Sequence, residues 1–124
     1  MSSTILVVDD DAPIRVMLRR MLEEEGYDVA LAADGLEAIS YCERDMPALV
    51  ILDIGMPHMD GYQFVEEFTR RGWQGRARVL VLSAQVRQRT DLARIADSIH
   101  GFQPKPFEVE EILEAIRGLL TPLE

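Results

Sequence analysis

Asp9, Asp10, Asp53, Ser83 and Lys105 each stand at, or just beyond, the end of a short apolar run. The runs are ILVVD (5–9), ALVILD (48–53), RVLVLS (78–83) and GFQ (101–103), the last leading into Lys105. Carboxylates gathered at one place repel one another, which costs free energy unless a cation neutralises them. Mg²⁺ suits that task, because it takes oxygen ligands, needs few carboxylates and keeps several waters. A metal so held can bridge to a phosphoryl oxygen. A carboxylate beside it can act as the nucleophile that forms an acyl phosphate. Asp53 is therefore the candidate phosphoacceptor, and the candidate metal-binding cluster is formed by two or three carboxylates drawn from it and the run Asp9-Asp10-Asp11. Lys105 would offset charge on the phosphoryl oxygens, and the Ser83 hydroxyl would donate a hydrogen bond to one of them. Each residue has an ordinary role open to it: Asp10 or Asp11 as a helix cap before Pro13, Ser83 as another cap, Lys105 as an exposed turn residue. The chemistry rests on the set.

What brings such a set together is the order of elements. DVAL (28–31) adds a fifth strand, and the runs at 5–8, 48–52 and 79–82 are apolar without alternation, as parallel strands covered on both faces require. Segments of helical period lie between them. Ile14, Met17, Leu18, Met21 and Leu22 form the apolar stripe of the first, with Pro13 in its first turn and Gly26 as its stop. Val109, Ile112, Leu113, Ile116, Leu119 and Leu120 form that of the last. Residues 34–45 offer Leu36, Ala38, Ile39, Tyr41 and Cys42, and residues 60–71 offer Tyr62, Phe64, Val65 and Phe68. Residues 86–98 offer only Val86, Ala93 and Ala96, with Leu92 and Ile95 off that face, so this helix is expected to be loosely held. Five strands alternating with five helices give an α/β fold, a doubly wound five-stranded parallel sheet. Ligands of such sheets collect beyond the carboxyl ends of the strands, near the switch in strand order.

Bulk properties narrow the field. A chain of 124 residues suits one domain, 1–124, with 48% hydrophobic residues for its core. A net charge of −9 disfavours direct nucleic-acid binding. There is no apolar run long enough for a membrane span, and the start does not read as a signal peptide. Cys42 is the sole cysteine, reads as a small buried hydrophobe and agrees with a reducing cytoplasm. Arg70, Arg71, Arg76, Arg78, Arg87, Arg89 and Arg94 read as solvated faces, with a partner-docking patch as the sharper alternative.

Over nearly its whole length the sequence resembles the receiver domains of two-component response regulators. LVVDDD (6–11), LVILDIGMPHMDG (49–61), VLVLSA (79–84) and KPF (105–107) carry the resemblance, the D-x-x-M-P-x-M-D-G string at 53–61 most specifically. It implies the flavodoxin-like receiver topology, Mg²⁺ held by Asp9, Asp10, Asp53 and the Gly55 carbonyl, and phosphorylation of Asp53. The donor would be a histidine kinase or a histidine phosphotransfer protein. Ser83 would be the switch hydroxyl, Phe102 the switch aromatic (or plain packing), and the Lys105–Pro106 bond would be cis. Phosphorylation would change the face formed by the fourth helix, fifth strand and fifth helix, for a downstream protein target. Homodimerisation through those helices is common in the family. Gly55 and Gln85 take positions where members adjust hydrolysis rate. Ser98 and Ile99 depart from the family's usual Gly-Ala pair, while His58 and His100 read as surface residues.

Other classes fit less well. The runner-up is a receiver-like module that binds protein without phosphorylation, but such modules typically lack part of the Asp9, Asp10, Asp53, Ser83 and Lys105 set. A haloacid-dehalogenase-type phosphatase would want a second Asp where Gly55 stands. A flavodoxin-like electron carrier would want a hydroxyl- and glycine-rich loop where DDDAPIR stands. The chain is accordingly expected to be no enzyme beyond its own phosphorylation and dephosphorylation.

Overall fold

The computed structural model describes residues 4–56, 59–83, 93 and 95–120. Its strands are β1 (Thr4–Val8), β2 (Asp28–Ala32), β3 (Leu49–Asp53), β4 (Arg78–Ser83) and β5 (Gly101–Pro104). They form one parallel sheet in the order β2-β1-β3-β4-β5. Four α-helices are seen among the described residues: α1 (Ala12–Glu24), α2 (Gly35–Arg44), α3 (Gly61–Arg70) and α4 (Val109–Leu120), the last being the fifth of the sequence-based expectation.

Strand pleat sorts the core into two layers. Ile5, Val7, Leu49, Ile51, Leu80 and Leu82 meet Leu18 and Leu22 of α1 and Ile112 and Ile116 of α4. Leu6, Val8, Val50, Leu52, Val79 and Val81 face the other way, against Ala38 and Ile39 of α2 and Phe64, Val65 and Phe68 of α3. Side chains alternate across a strand, so continuous apolar runs cover both faces at once. Cys42 is buried in the second layer, and burial pushes its thiol up to about 11.

Helix ends follow the local chemistry. The Asp11 side chain accepts from the Ile14 N–H and starts α1, with Pro13 in the first turn. Asp11, not Asp10, is thus the cap. Asp34 caps α2, and Asp60 caps α3 in a reciprocal box with Gln63. Gly26 takes φ 94° just past α1, a backbone that favours glycine.

Several helix faces differ from expectation. Met17 and Val109 are 43% and 47% exposed, and Leu36 is 54% exposed. Met17 and Val109 line an open cleft between α1 and α4 rather than the core. The expected helix at 86–98 falls mostly outside the described residues, including Val86, Leu92 and the arginines at 87, 89 and 94. Its end corrects the assigned face: Ile95 is 1% exposed and packs in the α2–α3 layer, whereas Ala93 and Ala96 are exposed. The larger apolar side chain takes the buried position, and the turn tightens to a 3₁₀ helix at Ala96–Ser98. His100 is also no plain surface residue. It is half-buried, and its Nδ1 accepts the Val79 N–H at 3.0 Å.

Candidate functional site

The connection after β1 runs to β2 on one side and the connection after β3 runs to β4 on the other, so a crevice opens between the carboxyl ends of the adjacent strands β1 and β3. Val8 of β1 is in register with Leu52 of β3, so the next residues, Asp9 and Asp53, emerge side by side. The ladder persists to that point, since the Asp9 N–H donates to Ala32 O at 3.2 Å.

Ligand oxygens of Asp9, Asp10 and Asp53 lie within 4.8 Å of one another. Asp9 and Asp53 are 1% and 8% exposed, while Asp10 faces solvent. Across the crevice, Lys105 Nζ stands 3.1 Å from Asp9 Oδ2 and 3.6 Å from Asp53 Oδ1. Lys105 is delivered from the end of β5 by the loop whose Lys105–Pro106 bond is cis, as expected. Burial raises the Asp53 pKa above the usual carboxylate range, and repulsion from Asp9 adds to it. Lys105 and the Gly55 N–H, which donates to Asp53 Oδ1 at 3.4 Å, pull it back. Three carboxyl groups against one ammonium leave an excess of negative charge, and this donor set of oxygens fits a hard divalent cation.

The structure thus brings together Asp9, Asp10, Asp53 and Lys105, with Gly55 beside them. Ser83 closes β4 through its backbone, but its hydroxyl, Gln85 and His58 lie outside the described residues. Phe102 on β5 is half-buried against the α2–α3 layer.

Three supports of the site escaped the sequence reading. The Asp11 N–H donates to Asp9 Oδ1 at 2.9 Å. An Arg15 guanidinium N–H donates to the Asp9 carbonyl at 2.6 Å. At Gly61 an added Cβ would stand 2.6 Å from Ile54 Cα and 2.8 Å from the Asp53 carbonyl oxygen, so α3 packs directly on the backbone of the acceptor strand. The D-G pair at 60–61 was the available signal for the last; the other two are turn contacts that spacing does not announce.

Comparison with known proteins agrees with this geometry. Residues 5–117 match the response regulator receiver domain family. Among curated proteins, the response regulator MprA of Mycobacterium tuberculosis is 40% identical over 97% of the chain, and that of Mycobacterium leprae 40% over 94%. The chain spans about half the length of these relatives, 51% and 50% respectively. Among solved structures, chemotaxis protein CheY4 of Vibrio cholerae superposes with a TM-score of 0.87 at 28% identity, covering 97% of this chain and 100% of that one. TrrA of Thermotoga maritima, solved in complex with Mg²⁺-BeF, gives 0.83 at 34% identity, with 97% and 100% covered. Sheet order, clustered carboxylates and sequence agree, and the chain belongs to the receiver-domain family of response regulators, the phosphoryl-accepting switches of two-component signalling.

Proposed function

We propose that Asp53 is the phosphoacceptor and that the chain, as one receiver domain over 1–124, takes its phosphoryl group from a histidine kinase or histidine phosphotransfer protein. The observation that carries this reading is the set of Asp9, Asp10 and Asp53 oxygens within 4.8 Å of one another, with Lys105 Nζ 3.6 Å from Asp53. An Asp53 oxygen attacks phosphorus, the donor's phosphorus–nitrogen bond breaks, and the leaving imidazole nitrogen keeps the bonding pair and takes a proton. Lys105 offsets charge on the transferred oxygens, and the Ser83 hydroxyl donates to one of them. Asp9, Asp10, Asp53 and the Gly55 carbonyl would hold Mg²⁺, which supplies Lewis-acid neutralisation of the phosphoryl group.

The switch proposed for this chain runs from Ser83 to Phe102 and alters the face of β5 and α4, together with the fourth helix expected from the sequence, for a downstream protein or a second copy. Gly55 and Gln85 are candidates for setting phosphoryl lifetime. Self-phosphorylation from a donor and self-dephosphorylation are its only proposed reactions. The net charge of −9 supports protein rather than nucleic-acid partners. The lone thiol of Cys42 is in keeping with a cytoplasmic home, and no helix among the described residues is long and apolar enough to cross a membrane.

Incubation with a small-molecule phosphodonor, with and without Mg²⁺, tests the reading by intact mass. One phosphoryl adduct is expected on the parent chain with Mg²⁺, and none on Asp53→Asn. A parent chain that stays unmodified would favour a module that binds without phosphorylation.

A further inference from the structure

Arg15 lies in the first turn of α1, just behind the Asp11 cap and the acidic run Asp9-Asp10-Asp11. Its own N–H bonds the Asp11 carbonyl, and its guanidinium turns back toward β1, where an N–H donates to the main-chain carbonyl of Asp9 at 2.6 Å in a partly buried setting. The same residue, Asp9, offers one carboxylate oxygen to the Asp11 N–H at 2.9 Å and the other to Lys105 at 3.1 Å. Asp9 is therefore held at every polar atom it has beyond its own N–H, which is in the ladder to Ala32.

We infer that Arg15 is a positioning residue for the cation site. Anchoring the Asp9 carbonyl fixes the peptide plane between β1 and α1, which turns the Asp9 carboxylate toward Asp10 and Asp53. A ligand held through its outer contacts loses less freedom when a metal binds, and loss of such contacts typically weakens metal affinity by about 10–100-fold. Arg15 acts through the main chain of Asp9, which puts its expected effect at the lower end of that range. The inference rests on the reading that these carboxylates hold Mg²⁺.

Mg²⁺ titration of the whole chain, read by the rise of the unfolding midpoint with Mg²⁺ concentration, tests it on the parent, Arg15→Ala and Arg15→Lys. The Mg²⁺ dissociation constant is expected to rise about tenfold in Arg15→Ala. In Arg15→Lys, which keeps a charged donor, it should stay within about threefold of the parent. Should Arg15→Ala not fold, Arg15→Met retains the apolar stem without the donor and carries the same expectation. A lower metal-free midpoint with unchanged Mg²⁺ affinity would reduce Arg15 to a structural staple and overturn the inference. Tighter Mg²⁺ binding by Arg15→Ala would overturn it too, because charge repulsion would then outweigh positioning. A parent chain without any Mg²⁺ response would sink the Mg²⁺ reading and this inference together.

Discussion

Replacing Asp53 by Asn should make the metal-free protein more stable, even though it removes a buried residue's native side chain. At an effective dielectric of about 20, two unit charges 4.8 Å apart repel by about 3.5 kcal/mol. Asp9 and Asp10 are each within that distance of Asp53, so the figure is applied to either pair before solvent around Asp10 is allowed for. Lys105, 3.6 Å from Asp53 Oδ1, returns about 4.6 kcal/mol. The repulsions exceed the attraction by about 2 kcal/mol, solvent around the exposed Asp10 trims that excess, and burial of Asp53 adds to it. The amide of the Asp53→Asn variant keeps the size and loses the charge. For a chain of this length about 2 kcal/mol corresponds to a midpoint higher by roughly 5–10 °C.

The sign follows from linkage. Asp53 has a raised pKa in the folded state, so the stability this group contributes is full below the ordinary carboxylate range. It is lost as pH rises through the raised value, which leaves ionised Asp53 a net cost near neutrality. Thermal melts in chelator at about pH 7 should therefore place Asp53→Asn above the parent, with the gap closing on acidification. Mg²⁺ should lift the parent, by about 2.7 kcal/mol at a concentration 100 times its dissociation constant, and leave Asp53→Asn almost unmoved. If Asp53→Asn melts at or below the parent in chelator, the electrostatic account of the site is wrong.

Gly61→Ala is expected to destabilise by about 2 kcal/mol or more, because its Cβ would meet backbone at Ile54 and Asp53 rather than a side chain that can yield; urea melts would read the loss. His100 is half-buried and its pKa is lowered, first by burial and then by Arg78 of the neighbouring strand. The stability it contributes is present above its ordinary value and lost as pH falls below it, so acid should narrow the advantage of the parent over His100→Ala in melts from about pH 7.5 to pH 5. Near neutrality that substitution should cost about 1–2 kcal/mol, since the Val79 N–H loses its acceptor. Cys42, 3% exposed with its thiol raised to about 11, should resist an aromatic disulfide reagent at mildly alkaline pH until the chain unfolds.

Much of this was legible in the sequence, for reasons that particular residues make plain. Apolar runs such as Leu49–Leu52 need two covering layers, which forces a parallel sheet, and a parallel sheet puts the residues after its strands on one edge. Asp9, Asp53 and Lys105 were thus located by topology alone, although they lie far apart in the chain. Helix faces were read less accurately. Periodicity says that Ile95 or Ala93 faces inward, but not which, when the segment ends in a 3₁₀ turn that shifts the phase. Nor does periodicity report where two neighbouring helices part, and Met17 and Val109 fall on the open cleft between α1 and α4. His100 shows a third limit: an imidazole serving as acceptor for the adjacent strand depends on a local geometry that residue type does not encode.

The site and the core make opposite demands, and the sheet reconciles them. β1 and β3 are central strands, buried on both faces, which gives Asp9 and Asp53 a rigid base and excludes water from them. That exclusion raises the cost of ionising Asp53, so the positions that best fix the acceptor are those where its charge is least welcome. Lys105 relieves part of the cost from the far end of the chain. Its ammonium contacts both buried carboxylates without matching their combined charge. A divalent cation supplies what Lys105 leaves over, and an arriving phosphoryl group alters that balance again. Because β5 carries both Lys105's loop and Phe102, a change in the charge that Lys105 faces acts on the strand that ends at the proposed output surface. Lys105→Ala should accordingly lower the metal-free midpoint where Asp53→Asn raises it, and two variants of one cluster moving oppositely would mark charge, rather than packing, as the quantity the site holds in tension.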